Sequence, residues 1–94
     1  MPVLKEAEIK EALKSLPEWK SSNNAIRREY QFKDFLAAMA FVNEVANKAE
    51  AANHHPDIDI RYNKVTLLLT SHDSGGVTPR DLRMAGKINE ISAG

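Results

Sequence analysis

Cysteine is absent from the 94 residues. Its absence removes disulfides, thiolate metal sites and a cysteine nucleophile together, and fits a reducing compartment. An excess of either charge is missing as well: thirteen Lys and Arg balance thirteen Asp and Glu, and neither sign gathers into a run. No direct contact with nucleic acid is therefore expected. Long apolar runs are also lacking. The longest aliphatic stretch, "VTLLLT", is far below the ~20 residues that cross a bilayer, and "MPVLKEAEIKEALK" has no apolar leader core. The expectation is no membrane association and a cytoplasmic location. Glycine and proline number four each, too few for a linker, and no repeat divides the chain. Residues 1–94 read as one domain with a single two-layer core. So short a chain buries little surface by itself, which makes a homodimer or homotetramer the expected state.

What is present is a series of amphipathic segments. Lys5 to Leu16 reads as a helix with Ile9, Leu13 and Leu16 on one stripe, stopped by Pro17. Near Trp19 the period changes to two. A short strand there and a second one carrying Ile26, Arg28, Tyr30 and Phe32 on one face are joined by the turn residues "SSNN". Asp34 can cap a helix from Phe35 to Ala52, with Phe35, Met39, Val42, Ala46 and Ala49 as its stripe. Two further strands, Asp57 to Tyr62 and Val65 to Ser71, meet at Asn63-Lys64. Thr78-Pro79-Arg80-Asp81 looks like a helix start, and Leu82, Ala85, Ile88 and Ile91 mark its buried side. The order α-β-β-α-β-β-α predicts an α+β fold: a two-layer sandwich with helices on one face of a four-stranded antiparallel sheet.

Histidine is scarce, three in all, and two of them are adjacent. With Asn63-Lys64 as a two-residue loop, Tyr62 faces Val65, Ile60 faces Leu67 and Ile58 faces Leu69, all on the apolar face. Extending that register sets His55 opposite His72, with Cβ atoms ~4.5–5.5 Å apart. Pro56 marks the strand start and leaves His54 in the loop. Glu50, four residues before His54, meets it on one helix face if the last turn survives that far.

Any one of these histidines alone would pass as a surface residue. Together they admit a zinc site of three imidazoles and a carboxylate, but no His-Glu-x-x-His spacing supports it. A nucleophile elbow and a phosphate loop are both absent. For Asp81, helix capping is a sufficient explanation. Several imidazoles, with ordinary pKa values near ~6.5, suit proton-transfer chemistry without a cofactor: elimination of water, enolisation or isomerisation.

The spacing Glu50-x3-His54-His55-Pro56-x5-Tyr62-x9-His72-x8-Asp81 resembles the signature of the pterin-4a-carbinolamine dehydratase family, also known as dimerisation cofactor of hepatocyte nuclear factor. The similarity extends to "LPEW", "FKDFLAAMAFVNEVANKAE" and "YNKVTLLLTSH". It implies an enzyme that removes water from 4a-hydroxytetrahydropterin, the carbinolamine left by aromatic amino acid hydroxylases, to give quinonoid dihydropterin in tetrahydrobiopterin recycling. No cofactor and no metal are implied, and dimers or tetramers are. His54, His55 and His72 match the family's active-site histidines, with His54 and His72 as the proton-transfer pair and His55 orienting the pterin. The substrate-side positions expected are Glu50, Pro56 and Asp81, which match the signature, and Ser71 and Asp73, which flank His72. The alternative implied by the resemblance is an interaction module that stabilises oligomers of a transcription factor. Phe41 or Val45 turned outwards would mark such a surface.

Overall fold

The structure, a computed structural model, describes residues 2–91. Helix α1 (Glu6–Ala12) begins where the Glu8 carboxylate accepts the Lys5 N–H at 2.8 Å. It tightens into a 3-10 turn, Leu13–Ser15. The helix is thus shorter than its apolar stripe, because the residue before Pro17 is barred from helical geometry.

Strands β1 (Lys20–Ser22) and β2 (Ala25–Gln31) form a hairpin on Asn23-Asn24, both at positive φ, 44° and 64°. That geometry matches the twist of the strands, and asparagine tolerates it. Helix α2 spans Phe35–Ala52, and its N-cap, Asp34, accepts from the Ala37 N–H at 2.8 Å. The expected stripe is rotated: Ala38, Phe41, Val42, Val45 and Ala49 are buried, whereas Phe35 and Ala46 are exposed. "FLAAMAFV" is apolar on nearly every side, so several stripes fit its period and packing against the sheet selects one. Phe41 and Val45 therefore face the core, not solvent.

Strands β3 (Asp57–Arg61) and β4 (Lys64–Leu69) pair with Ile58 opposite Leu67 and Ile60 opposite Val65. The loop is Tyr62-Asn63, two residues out of the expected register. Asn63 explains the slip: its side-chain amide donates to the Phe32 carbonyl at 2.8 Å, and its own carbonyl accepts the Phe32 N–H at 2.8 Å. These bonds fasten the loop to the end of β2. A slip of two preserves which side chains face inward, so Val65, Leu67 and Leu69 are buried as expected. Tyr62 leaves the sheet for the turn.

The sheet order is β1-β2-β4-β3, antiparallel throughout. Helix α3 (Pro79–Asn89) returns to pack Met84, Ala85 and Ile88 into the same core as α2. The result is the α+β sandwich of the expected order. Its far end is tied by Asn89, whose Oδ1 accepts from the Trp19 indole at 2.8 Å and from Arg28 at 2.7 Å. Among the described residues, no helix is long and apolar enough to cross a membrane.

Candidate functional site

Helix α2 ends where Asn53 takes the left-handed conformation, φ 50°. Its short polar side chain makes it one of the few residues suited to that role. The reversal sends the next two residues in opposite directions. His54 donates its backbone N–H to the Ala49 carbonyl at 3.1 Å and turns inward, to 8% exposure. His55 stays exposed.

Inside, His54 Nε2 lies 2.5 Å from Asp81 Oδ1. Asp81 has 0% exposure, and its second oxygen accepts from the Ser71 hydroxyl at 3.0 Å and the Thr78 N–H at 2.9 Å. With the Ser71 proton committed to Asp81, the Thr78 hydroxyl 2.8 Å away donates to Ser71 while accepting the Arg80 N–H at 3.3 Å. Both oxygens of the Asp81 carboxylate and both neighbouring hydroxyls have partners, as a charge taken out of water requires. Asp81 thus completes the capping box of α3 and also holds a histidine; capping alone does not describe it. The carboxylate places the ring proton on Nε2, so neutral His54 presents Nδ1 as an acceptor.

The expected Glu50–His54 pair is not formed. Glu50 Oε2 lies 2.6 Å from His55 Nε2 instead, at the surface, because the turn at Asn53 breaks the i,i+4 geometry. Nor does His55 oppose His72. β3 begins at Asp57 and β4 ends at Leu69, so neither histidine lies in the ladder, and the observed register carried backwards would set His55 beside Thr70.

The third histidine arrives by way of a turn. The N–H groups of Ser74, Gly75 and Gly76 all reach the Ser71 carbonyl, at 3.0, 2.9 and 3.4 Å, while Ser71 N–H returns to Gly76 at 3.0 Å. Gly75 supplies the φ of 85° that this closure needs. His72 is left on the rim, its Nε2 3.9 Å from Asp57 Oδ1.

His54, His55 and His72 consequently line one cavity of about 280 Å³, with Ser71, Asp73 and Arg80 in its wall. Glu50, Pro56 and Asp81 are not in that wall. Glu50 and Asp81 stand behind it, hydrogen-bonded to His55 and His54, and Pro56 leads into β3. Ser71 borders the cavity, but its hydroxyl is engaged with Asp81. His54 and His55 answer to separate carboxylates. Among the described residues no group of three or more histidines and acids is arranged around a common point for a metal ion.

The family model for pterin 4 alpha carbinolamine dehydratase matches residues 2–91. This chain belongs to that family. A carbinolamine dehydratase relative from Koribacter versatilis is 62% identical over 88 residues, 94% of each chain. One from Chloroflexus aurantiacus is 56% identical over 91 residues, 97% of this chain and 98% of its own. Both carry the name "Putative pterin-4-alpha-carbinolamine dehydratase". A solved structure described as a transcriptional coactivator/pterin dehydratase from Brucella Melitensis superposes with a TM-score of 0.87 at 40% identity, covering 93% of this chain and 95% of that one.

In this carbinolamine dehydratase family member, two residues of the site lie outside the set that the sequence predicts. Thr78, expected as an N-cap alone, also bonds to the Ser71 hydroxyl. Arg80, expected only as part of the start of α3, reaches the Asn53 carbonyl with its guanidinium at 3.4 Å and lies 3.7 Å from Asp73. The signal is in the spacing: Arg80, two residues after the Thr78 cap, lies in the same first turn of α3 as Asp81.

Proposed function

We propose that the chain is a 4a-hydroxytetrahydropterin dehydratase that works by histidine acid and base catalysis. Loss of water from C4a needs a proton delivered to the departing hydroxyl and the N5 proton removed as the C4a–N5 double bond forms. One proton is given and one taken, so no redox partner is needed. His54, held by Asp81 with Nδ1 as its acceptor, takes the N5 proton. His72, on the rim and in exchange with solvent, protonates the leaving oxygen. His55, braced by Glu50, orients the pterin ring. The observation that carries this reading is the convergence of three imidazoles on one cavity, each in a different electrostatic setting.

The test is the dehydration rate of freshly generated 4a-hydroxytetrahydropterin, followed by absorbance with a chelator present. Wild type is expected to accelerate it, and His54→Ala and His72→Ala to lower turnover by roughly 10²- to 10⁴-fold. If both folded variants keep near-full activity, the proton-transfer roles are wrong; no acceleration by folded wild type would overturn the enzyme itself. The reading also implies an upstream enzyme that makes the carbinolamine, of the aromatic amino acid hydroxylase type.

We also infer self-association. Leu36 is 77% exposed and Phe35 44% exposed at the start of α2, an apolar edge that a small chain gains by covering. A homodimer or homotetramer by light scattering is the expected result, and Leu36→Glu is expected to weaken it.

A further inference from the structure

A second cavity, of about 230 Å³, adjoins the histidine site. It is lined by Ala52, His54, Arg80, Arg83, Met84 and Lys87. His54 and Arg80 border both cavities, so both spaces flank the proposed base. Neither by itself reaches the ~300 Å³ at which small-molecule sites usually begin. The second cavity is the neighbouring space available to a ligand at His54 that outgrows the first.

The lining of that extension is one-sided. Three cations and no acid border it, in a chain whose charges cancel. Arg80, Arg83 and Lys87 follow one another at helical spacing along α3, a cationic stripe about 10 Å long at 1.5 Å per residue. Arg80 has Asp73 within 3.7 Å; among the described residues, the side chains of Arg83 and Lys87 have no ion-pair or hydrogen-bond partner. Buried Met84 and half-buried Ala52 supply an apolar floor between them.

We propose that this groove is an anion-binding subsite of the active site, which receives a phosphate or carboxylate carried on the side chain of the pterin substrate. Guanidinium forks match either group in geometry. The proposal rests on the pterin reading above and adds to it the class of side chain preferred. It predicts that the chain discriminates among pterins by charge, at a distance from the reacting carbon.

Three stable oxidised pterins test it by quenching of their fluorescence: hydroxymethylpterin, its phosphate monoester and carboxypterin. At low salt an anionic ligand is expected to bind about tenfold tighter than the neutral one, a preference of the size a few partly exposed ion pairs provide. That ratio is expected to shrink in about 0.5 M salt, and to fall to within about threefold in Arg83→Gln/Lys87→Gln protein with an unchanged circular dichroism spectrum. Preference for the phosphate ester alone would assign the subsite to phosphate, and preference for both anions would assign it to anions generally. Equal binding of all three, or a preference undiminished in the double variant, would overturn the proposal while leaving the dehydratase reading intact. If none of the three binds, the pterin reading fails and the subsite with it.

Discussion

Asp81 illustrates what one side chain can be asked to do. Its two oxygens answer to His54, Ser71 and Thr78, so removing them strands three polar groups in a space closed to water. Asp81→Ala is expected to cost about 3 kcal/mol or more by urea denaturation, the usual penalty for breaking a buried charged network. His72→Ala is expected to change stability by less than about 0.5 kcal/mol, as exposed residues do, while abolishing most turnover. Tyr30 is the opposite case. Its hydroxyl is buried without a partner among the described residues, and burial pushes the phenol up to about 12, against the pull of Arg28 and with a small push from Glu18. The folded pKa lies above the unfolded one, so the contribution is intact below pH ~10 and is lost as pH rises toward the folded value. Tyr30→Phe is expected to melt no lower than wild type at neutral pH and to flatten the alkaline fall in stability measured by denaturation at a series of pH values.

At the scale of the element, most of the fold was legible because the breakers are strong. Asp34 and the break after Ala52 bound α2, and Thr78-Pro79 opens α3, as read from sequence. What failed was choice among equals. The turn preference of asparagine predicts the β3–β4 loop at Asn63-Lys64, but Asn63 is more valuable as the clamp on Phe32. The cost of positive φ, 54°, then falls on Tyr62, a residue 67% exposed. Such a residue stores about 1 kcal/mol or more. Tyr62→Gly is therefore expected to raise the denaturation midpoint despite removing an aromatic, and a lower midpoint would show that the tyrosine ring stabilises the turn. The three histidines line one cavity, but not through the strand ladder that the sequence predicts: a left-handed cap at Asn53 and a glycine turn at Gly75 bring them together. Periodicity shows which face a residue takes; it carries no information about where an irregular segment ends.

At the scale of the molecule, α3 joins two ends that differ in character. Its N-terminus belongs to the site through Asp81, and its C-terminus belongs to the framework through Asn89, which satisfies the buried Trp19 indole and steadies Arg28 against the Tyr30 ring, 4.2 Å from its centroid. Asn89→Leu is expected to cost about 2 kcal/mol in chemical denaturation, the loss of a partly buried acceptor shared by two donors, with little effect on substrate affinity. The fastening of Asp81 also has a consequence for how such a gene fails. Random mutations that inactivate through His55 or His72 are expected to leave soluble polypeptide at normal abundance, detectable by antibody in a strain that lacks activity. Those that strike Asp81 or Ser71 are expected to leave no polypeptide to detect, cleared by proteolysis before its chemistry matters. Two classes of defect that look identical in a growth test would separate on a blot.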